Sequence, residues 1–334
     1  MASTRGMKRR EFIALLGGVA ATSPFAARAQ QAGRMARVGI FTSAGSNPIA
    51  GPGYRAFLDE LRKLGFSEGR NITIDVREAY RDVDALFADA AALARANADV
   101  IVSGGPEASL QAALAASSTI PIVMVAINFD PIARSYIKSL AQPGGNVTGV
   151  MLRQTELAEK QVELLTQAFP ERKNIAMLWD RISADQFAAA ERRAKALRLQ
   201  VRSLKLDNPP YDFDAALRTI AADGAQMALF LSSPFFGFQS TRIAELAIQR
   251  RLPSMFIFRG YVVDGGLMSY GADVVAMYRQ TATYVAKILR GAKPADLPVE
   301  QPKTFELVVN LKTAKALGIE MPTAILLRAN EVIE

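Results

Sequence analysis

Several short runs in this chain carry side chains that could hold a small molecule. Ser103-Gly104-Gly105 stands before a helical stretch opened by Pro106. A helix start has backbone N–H groups with no internal partner and the positive end of the helix dipole, so it attracts a carboxylate. A tight turn that needs glycine freedom would leave the same signature. Ser43 and Ser46 occupy the corresponding loop one strand earlier, and Ser232 and Ser233 repeat the theme later in the chain. Arg259 could grip a carboxylate with two parallel hydrogen bonds; a salt bridge within the protein is the alternative. Asn128 is a further candidate ligand-binding residue, and Asp130 and Asp180 follow predicted strand ends, where a carboxylate could hold an ammonium group or cap a helix. Trp179 and Tyr261, with Phe129 and Phe235, could stack on an apolar or aromatic group, or fill core.

What the chain lacks narrows the chemistry further. Among its 334 residues there is no histidine and no cysteine. Thiol nucleophiles, Ser–His triads and Cys/His zinc sites are therefore ruled out. No catalytic residue, metal or cofactor is expected. The only enzymatic alternative is a carboxylate pair such as Asp130 and Asp180 in an exported hydrolase. Half the residues are apolar and the net charge is +8. About half of that charge lies in the first 29 residues, and the rest is scattered over helical faces without a dense basic block, so no nucleic-acid partner is implied.

The elements that must position these residues alternate. Val100–Val102, a helix and Ile122–Val125 form a strand–helix–strand unit with β-branched, buried strands. Met227–Leu231, a helix and the run after Pro253 repeat it. Around each copy the order is the same: strands at Arg37–Thr42 and Asn71–Val76 lead the first, strands at Asn174–Trp179 and Leu199–Leu206 the second. The chain thus reads as α/β, two doubly wound Rossmann-like lobes with ligand sites at the carboxyl ends of their strands. The expected boundaries are 30–150 for the first lobe, 151–270 for the second, a return to the first over 271–305 and to the second over 306–334. Crossings at Gly149–Leu152, Tyr270–Ala272 and Pro302–Phe305 would make a three-stranded hinge.

Residues 1–29 read as an export signal rather than as fold. Basic residues Lys8, Arg9 and Arg10 precede an apolar core too short to span a bilayer, and Ala27-Arg28-Ala29 supplies the small residues of a cleavage site. Arg9-Arg10 with Phe12 resembles the twin-arginine pattern; a general secretory signal is the alternative. Gly51-Pro52-Gly53-Tyr54-Arg55-Ala56 matches a dinucleotide fingerprint in letters, but Pro52 lacks the N–H that would face a pyrophosphate.

Four segments together carry a wider resemblance: Leu64–Ile72 (LGFSEGRNI), Gln142–Gly149 (QPGGNVTG), Gly265–Gly271 (GGLMSYG) and Ile288–Pro302 (ILRGAKPADLPVEQP). The chain resembles the tryptophan/tyrosine-type substrate-binding proteins of ABC transporters, which have the type I periplasmic-binding-protein fold. The resemblance implies a receptor in the periplasm that binds an amino-acid-like ligand between its lobes and delivers it to an ABC permease in the inner membrane, without itself entering the membrane once the signal is removed. Asn128-Phe129-Asp130-Pro131 stands where that family is expected to have Gly-Asp-Pro.

Overall fold

The computed structural model describes residues 35–42, 51–77 and 83–334. Residues 1–29, read above as an export signal, and Ser43 and Ser46 lie outside the described residues.

Two sheets organise the chain. The first is five-stranded and wholly parallel, in the order β2-β1-β3-β4-β5. Its strands are β1 (Ala36–Thr42), β2 (Ile72–Arg77), β3 (Val100–Gly105), β4 (Ile122–Ala126) and β5 (Val147–Met151). β3, β4 and β5 are buried along their whole length. That explains why they read as unbroken apolar or small-residue runs rather than as alternating strands. On one face lie α1 (Pro52–Lys63) and α10 (Val274–Leu289), packing Tyr54, Phe57, Leu61, Met277 and Val285 onto Val38, Val102 and Val123. On the other lie α2 (Val83–Arg95) and α3 (Glu107–Ala116), packing Leu86, Leu93 and Leu110 onto Phe41, Ile101 and Met124.

The second sheet has seven strands in the order β12-β11-β10-β9-β8-β6-β7, parallel except where β11 runs against β10. It comprises β6 (Asn174–Asp180), β7 (Gln200–Leu206), β8 (Met227–Phe230), β9 (Ser254–Phe256), β10 (Met268–Ala272), β11 (Phe305–Asn310) and β12 (Glu331–Ile333). The helices α4 (Gln154–Ala168) and α5 (Ala184–Ala196) cover one face, together with α11 (Leu311–Leu317) and α12 (Thr323–Leu326). The other face is covered by α6 (Phe213–Ala222), α8 (Ser240–Gln249) and α9 (Arg259–Val263), with the single turn α7 (Pro234–Gly237) at its edge. The sequence reading places no element between Val150 and Asn174. The structure puts α4 there; its buried face includes Gln154 and Gln161 beside Leu157, Val162 and Leu165, so polar residues interrupt the apolar stripe.

The chain crosses between the sheets at β5 to α4, at β10 to α10 and on the way into β11. The crossings touch. Met151 N–H donates to the Glu300 carbonyl (2.9 Å), Glu300 N–H to the Gly149 carbonyl (3.0 Å) and Asp273 N–H to the Thr304 carbonyl (3.2 Å). Two glycines permit the close packing here. A Cβ on Gly149 (φ +134°) would sit 2.1 Å from the Met124 carbonyl oxygen, and one on Gly271 1.9 Å from that of Ile257. Both obstacles are backbone, which cannot swing aside. Gly149→Ala and Gly271→Ala are each expected to destabilise the protein by about 1–3 kcal/mol in urea unfolding. Gly145→Ala, where nothing lies within 4 Å, should stay within about 0.5 kcal/mol of the parent.

Candidate functional site

Ser103-Gly104-Gly105 is not a loop, as the small residues suggest, but the last three residues of β3. Gly104 and Gly105 remain in register with Val125 and Ala126 of β4. Gly105 takes φ +103° and turns the chain into α3. Pro106 is the N-cap and brings no side-chain acceptor to the first amides of that helix. Beside them the Ser103 hydroxyl is buried, with the residue 2% exposed and its Oγ bonded to no group. An unpaired buried hydroxyl is costly, and here it stands at a strand end next to a helix N-terminus that no side chain caps.

The two aspartates serve the backbone. Asp130 is exposed, and its Oδ1 accepts from Ile132 N–H (2.8 Å) and Ala133 N–H (3.2 Å). Asp180 is 1% exposed and fully engaged. Its Oδ1 accepts from the Ile182 and Ser183 amides, and its Oδ2 from Ser233 Oγ at 2.5 Å and the Tyr211 phenol at 3.1 Å. Burial, and then the Asp180 charge, push the Tyr211 phenol well above its ordinary range, so it stays a donor. Capping, the alternative weighed for both carboxylates, is what the structure places there.

Three other predicted residues turn away from a ligand role. Arg259 makes the bidentate pair its chemistry suggested, but with Glu331 of β12, at 2.5 and 2.6 Å. The return through β11 and β12 brings that carboxylate to the guanidinium, and the hydrogen bond to Glu331 raises the Arg259 pKa. Tyr261 is core: its ring stacks on Phe256 at 4.8 Å, and burial raises its phenol strongly. Trp179 stacks on Phe187 at 4.5 Å with rings 6° apart, and its indole N–H donates to Ser203 Oγ. As the residue before Asp180 it points to the α4/α5 side of the sheet.

Asn128 and Ser232 meet. Asn128, just past β4 in the first lobe, donates from Nδ2 to the Ser232 carbonyl of the second lobe (3.1 Å) and accepts at Oδ1 from Gln186 Nε2 (2.9 Å). Gln186 Oε1 accepts from Ser232 N–H (3.0 Å), and Gln154 bonds both Gln186 and the Ser232 hydroxyl. So the strand ends of the two lobes meet here, joined by Asn128. Gln154 and Gln186 were missed by sequence reasoning. Their only signal is a glutamine on the inward stripe of an amphipathic helix.

Comparison with known proteins agrees with this architecture. Residues 47–333 match the family model of ABC transporter substrate binding proteins. The chain belongs to this family. A tyrosine-binding protein of Clostridioides difficile (strain R20291) is 25% identical over 274 residues, 81% of this chain and 77% of that protein. The crystal structure of a conserved domain protein from Vibrio cholerae superposes with a TM-score of 0.80 at 28% identity, covering 90% of this chain and all of that one. An ABC domain from Streptococcus pneumoniae in complex with L-Trp gives 0.79 at 26% identity, over 89% of this chain and 99% of that one. The fold is that of the type I periplasmic binding proteins, with two parallel-sheet lobes. This substrate-binding protein contains, among the described residues, no helix long and apolar enough to cross a membrane and no cluster of groups suited to a metal ion.

The structural role of the aspartates is open to measurement. Asp180→Ala strands two amides and two hydroxyls and is expected to lower stability by about 2–4 kcal/mol. Asp130→Ala removes one exposed cap and should lose about 1 kcal/mol. Both are read by chemical denaturation.

Proposed function

We propose that this protein is the periplasmic receptor of an ABC importer, and that it binds a small amino acid, aromatic ones first, by its carboxylate. The observation that carries this reading is the orphaned Ser103 hydroxyl beside the uncapped start of α3. A carboxylate at this strand end would accept from the first helix amides, which no side chain caps, and would supply the acceptor that the buried Ser103 hydroxyl lacks. The tyrosine- and tryptophan-binding relatives support the ligand class. The export-signal pattern read in residues 1–29 supports the compartment, and the family supports a permease as the receiver of the closed, loaded state. Capping by Asp130 and Asp180 speaks against the exported-hydrolase alternative, since each carboxylate already holds backbone donors.

A thermal-shift screen of the chain from Gln30 onward tests the reading. Amino acids, short carboxylates, purines and sugars are each supplied at high excess. A ligand at a hundredfold excess over its Kd stabilises by about 2.7 kcal/mol, and aromatic amino acids are the class expected to raise Tm. Ser103→Ala should leave the ligand-free protein as stable as the parent or more so, and weaken the ligand about tenfold in calorimetric titration. A flat response across the panel, or full affinity in Ser103→Ala, overturns the assignment of the carboxylate site.

A further inference from the structure

Asn128 is the residue through which the first lobe joins a buried amide cluster belonging to the second. Gln154, Gln186 and Ser232 are 4%, 3% and 5% exposed. They hold one another: Gln186 Nε2 donates to Gln154 Oε1 at 2.9 Å, Gln154 Nε2 to Ser232 Oγ at 3.0 Å, and Ser232 N–H to Gln186 Oε1 at 3.0 Å. All three bonds lie within the second lobe and survive any movement of the first. Asn128 adds two bonds that do not. Its Nδ2 meets the Ser232 carbonyl and its Oδ1 meets Gln186 Nε2. Its backbone sits at φ +68°, a left-handed conformation that asparagine tolerates better than most side chains. The backbone therefore accepts an uncommon geometry at a position whose donor and acceptor both cross to the other lobe.

We infer that Asn128 is a positioning residue for ligand binding: it latches the first lobe onto the Gln154–Gln186–Ser232 cluster and sets the balance between open and closed lobes without touching the ligand. The inference rests on the receptor reading of the cleft. When only a fraction of molecules is binding-competent, the apparent Kd rises by the inverse of that fraction. Loss of two cross-lobe hydrogen bonds lowers the closed fraction and with it the affinity. The second-lobe cluster stays assembled in either state, and the two Asn128 bonds are made only when the lobes meet.

The absence of cysteine makes the test clean. Ala133 and Arg181 are exposed and follow β4 and β6, one on each lobe. An A133C/R181C pair carrying spin labels reports lobe separation by double electron–electron resonance without ligand. N128G keeps the backbone geometry free of cost and removes the amide; N128A removes the amide and adds strain. In both backgrounds the ligand-free population is expected to shift to longer separation. The affinity for the amino acid identified by thermal shift is expected to fall about five- to twentyfold. An N128G distribution superposing on that of the parent overturns the latch, as does a shift seen in N128A alone, which would report backbone strain. Because the distances are taken without ligand, they judge the latch even if no amino acid binds. Failure of every ligand in the screen would refute the receptor reading separately.

Discussion

Three backbone crossings must lie side by side for this molecule to have two lobes rather than two domains on a string. That constraint is met by hydrogen bonds between main chains, Met151 to Glu300, Glu300 to Gly149 and Asp273 to Thr304. The side chains there reinforce it. Gln280 donates to the Glu300 carboxylate at 2.6 Å, and the Thr148 hydroxyl to the Leu297 carbonyl at 2.8 Å. Gly149 and Gly271 occupy matching places, each in the last strand before a crossing and each pressed onto a carbonyl of the neighbouring segment. The repeated architecture is thus visible at the level of a single missing Cβ. α10 then packs against α1 on the first sheet although it follows a strand of the second, so the second crossing is anchored by apolar burial on the far side as well as by hydrogen bonds.

The alternation of strands and helices was legible in the sequence chiefly because the central strands are buried on both faces. Val100–Val102, Ile122–Val125 and Met227–Phe230 have no polar side to blur the pattern. The stretch Val274–Leu289 was legible as a helix for the converse reason: one side carries Met277, Val285 and Ile288 and the other Arg279 and Lys287. The candidate site was less legible. Its positions could be named from strand ends, but side-chain direction could not. Trp179 and Asp180 are neighbours, yet one stacks on Phe187 and the other is buried with Ser233 and Tyr211 on the opposite face. Arg259 was right in chemistry and wrong in partner, because its carboxylate arrives from 72 residues away. Gln154 and Gln186 were hidden by their ordinariness: a glutamine on a helix is a solvated residue until the tertiary structure buries it.

The chemistry of the cross-lobe contact suits its place. An ion pair at the base of the cleft would strand a buried charge each time the lobes parted, at several kcal/mol. An amide separating from a carbonyl exchanges that bond for water and loses only about 1 kcal/mol net. A binding protein whose lobes open and close must do so within the few kcal/mol that ligand binding supplies, so neutral amides would suit a boundary that moves and charges one that does not. The molecule follows that division. Asp180 is buried inside the second lobe among hydroxyls and amides, and Arg259 pairs with Glu331 within the same sheet and its helices. Where Asn128 meets the second lobe, the bonding groups among the described residues are one asparagine, two glutamines and a serine.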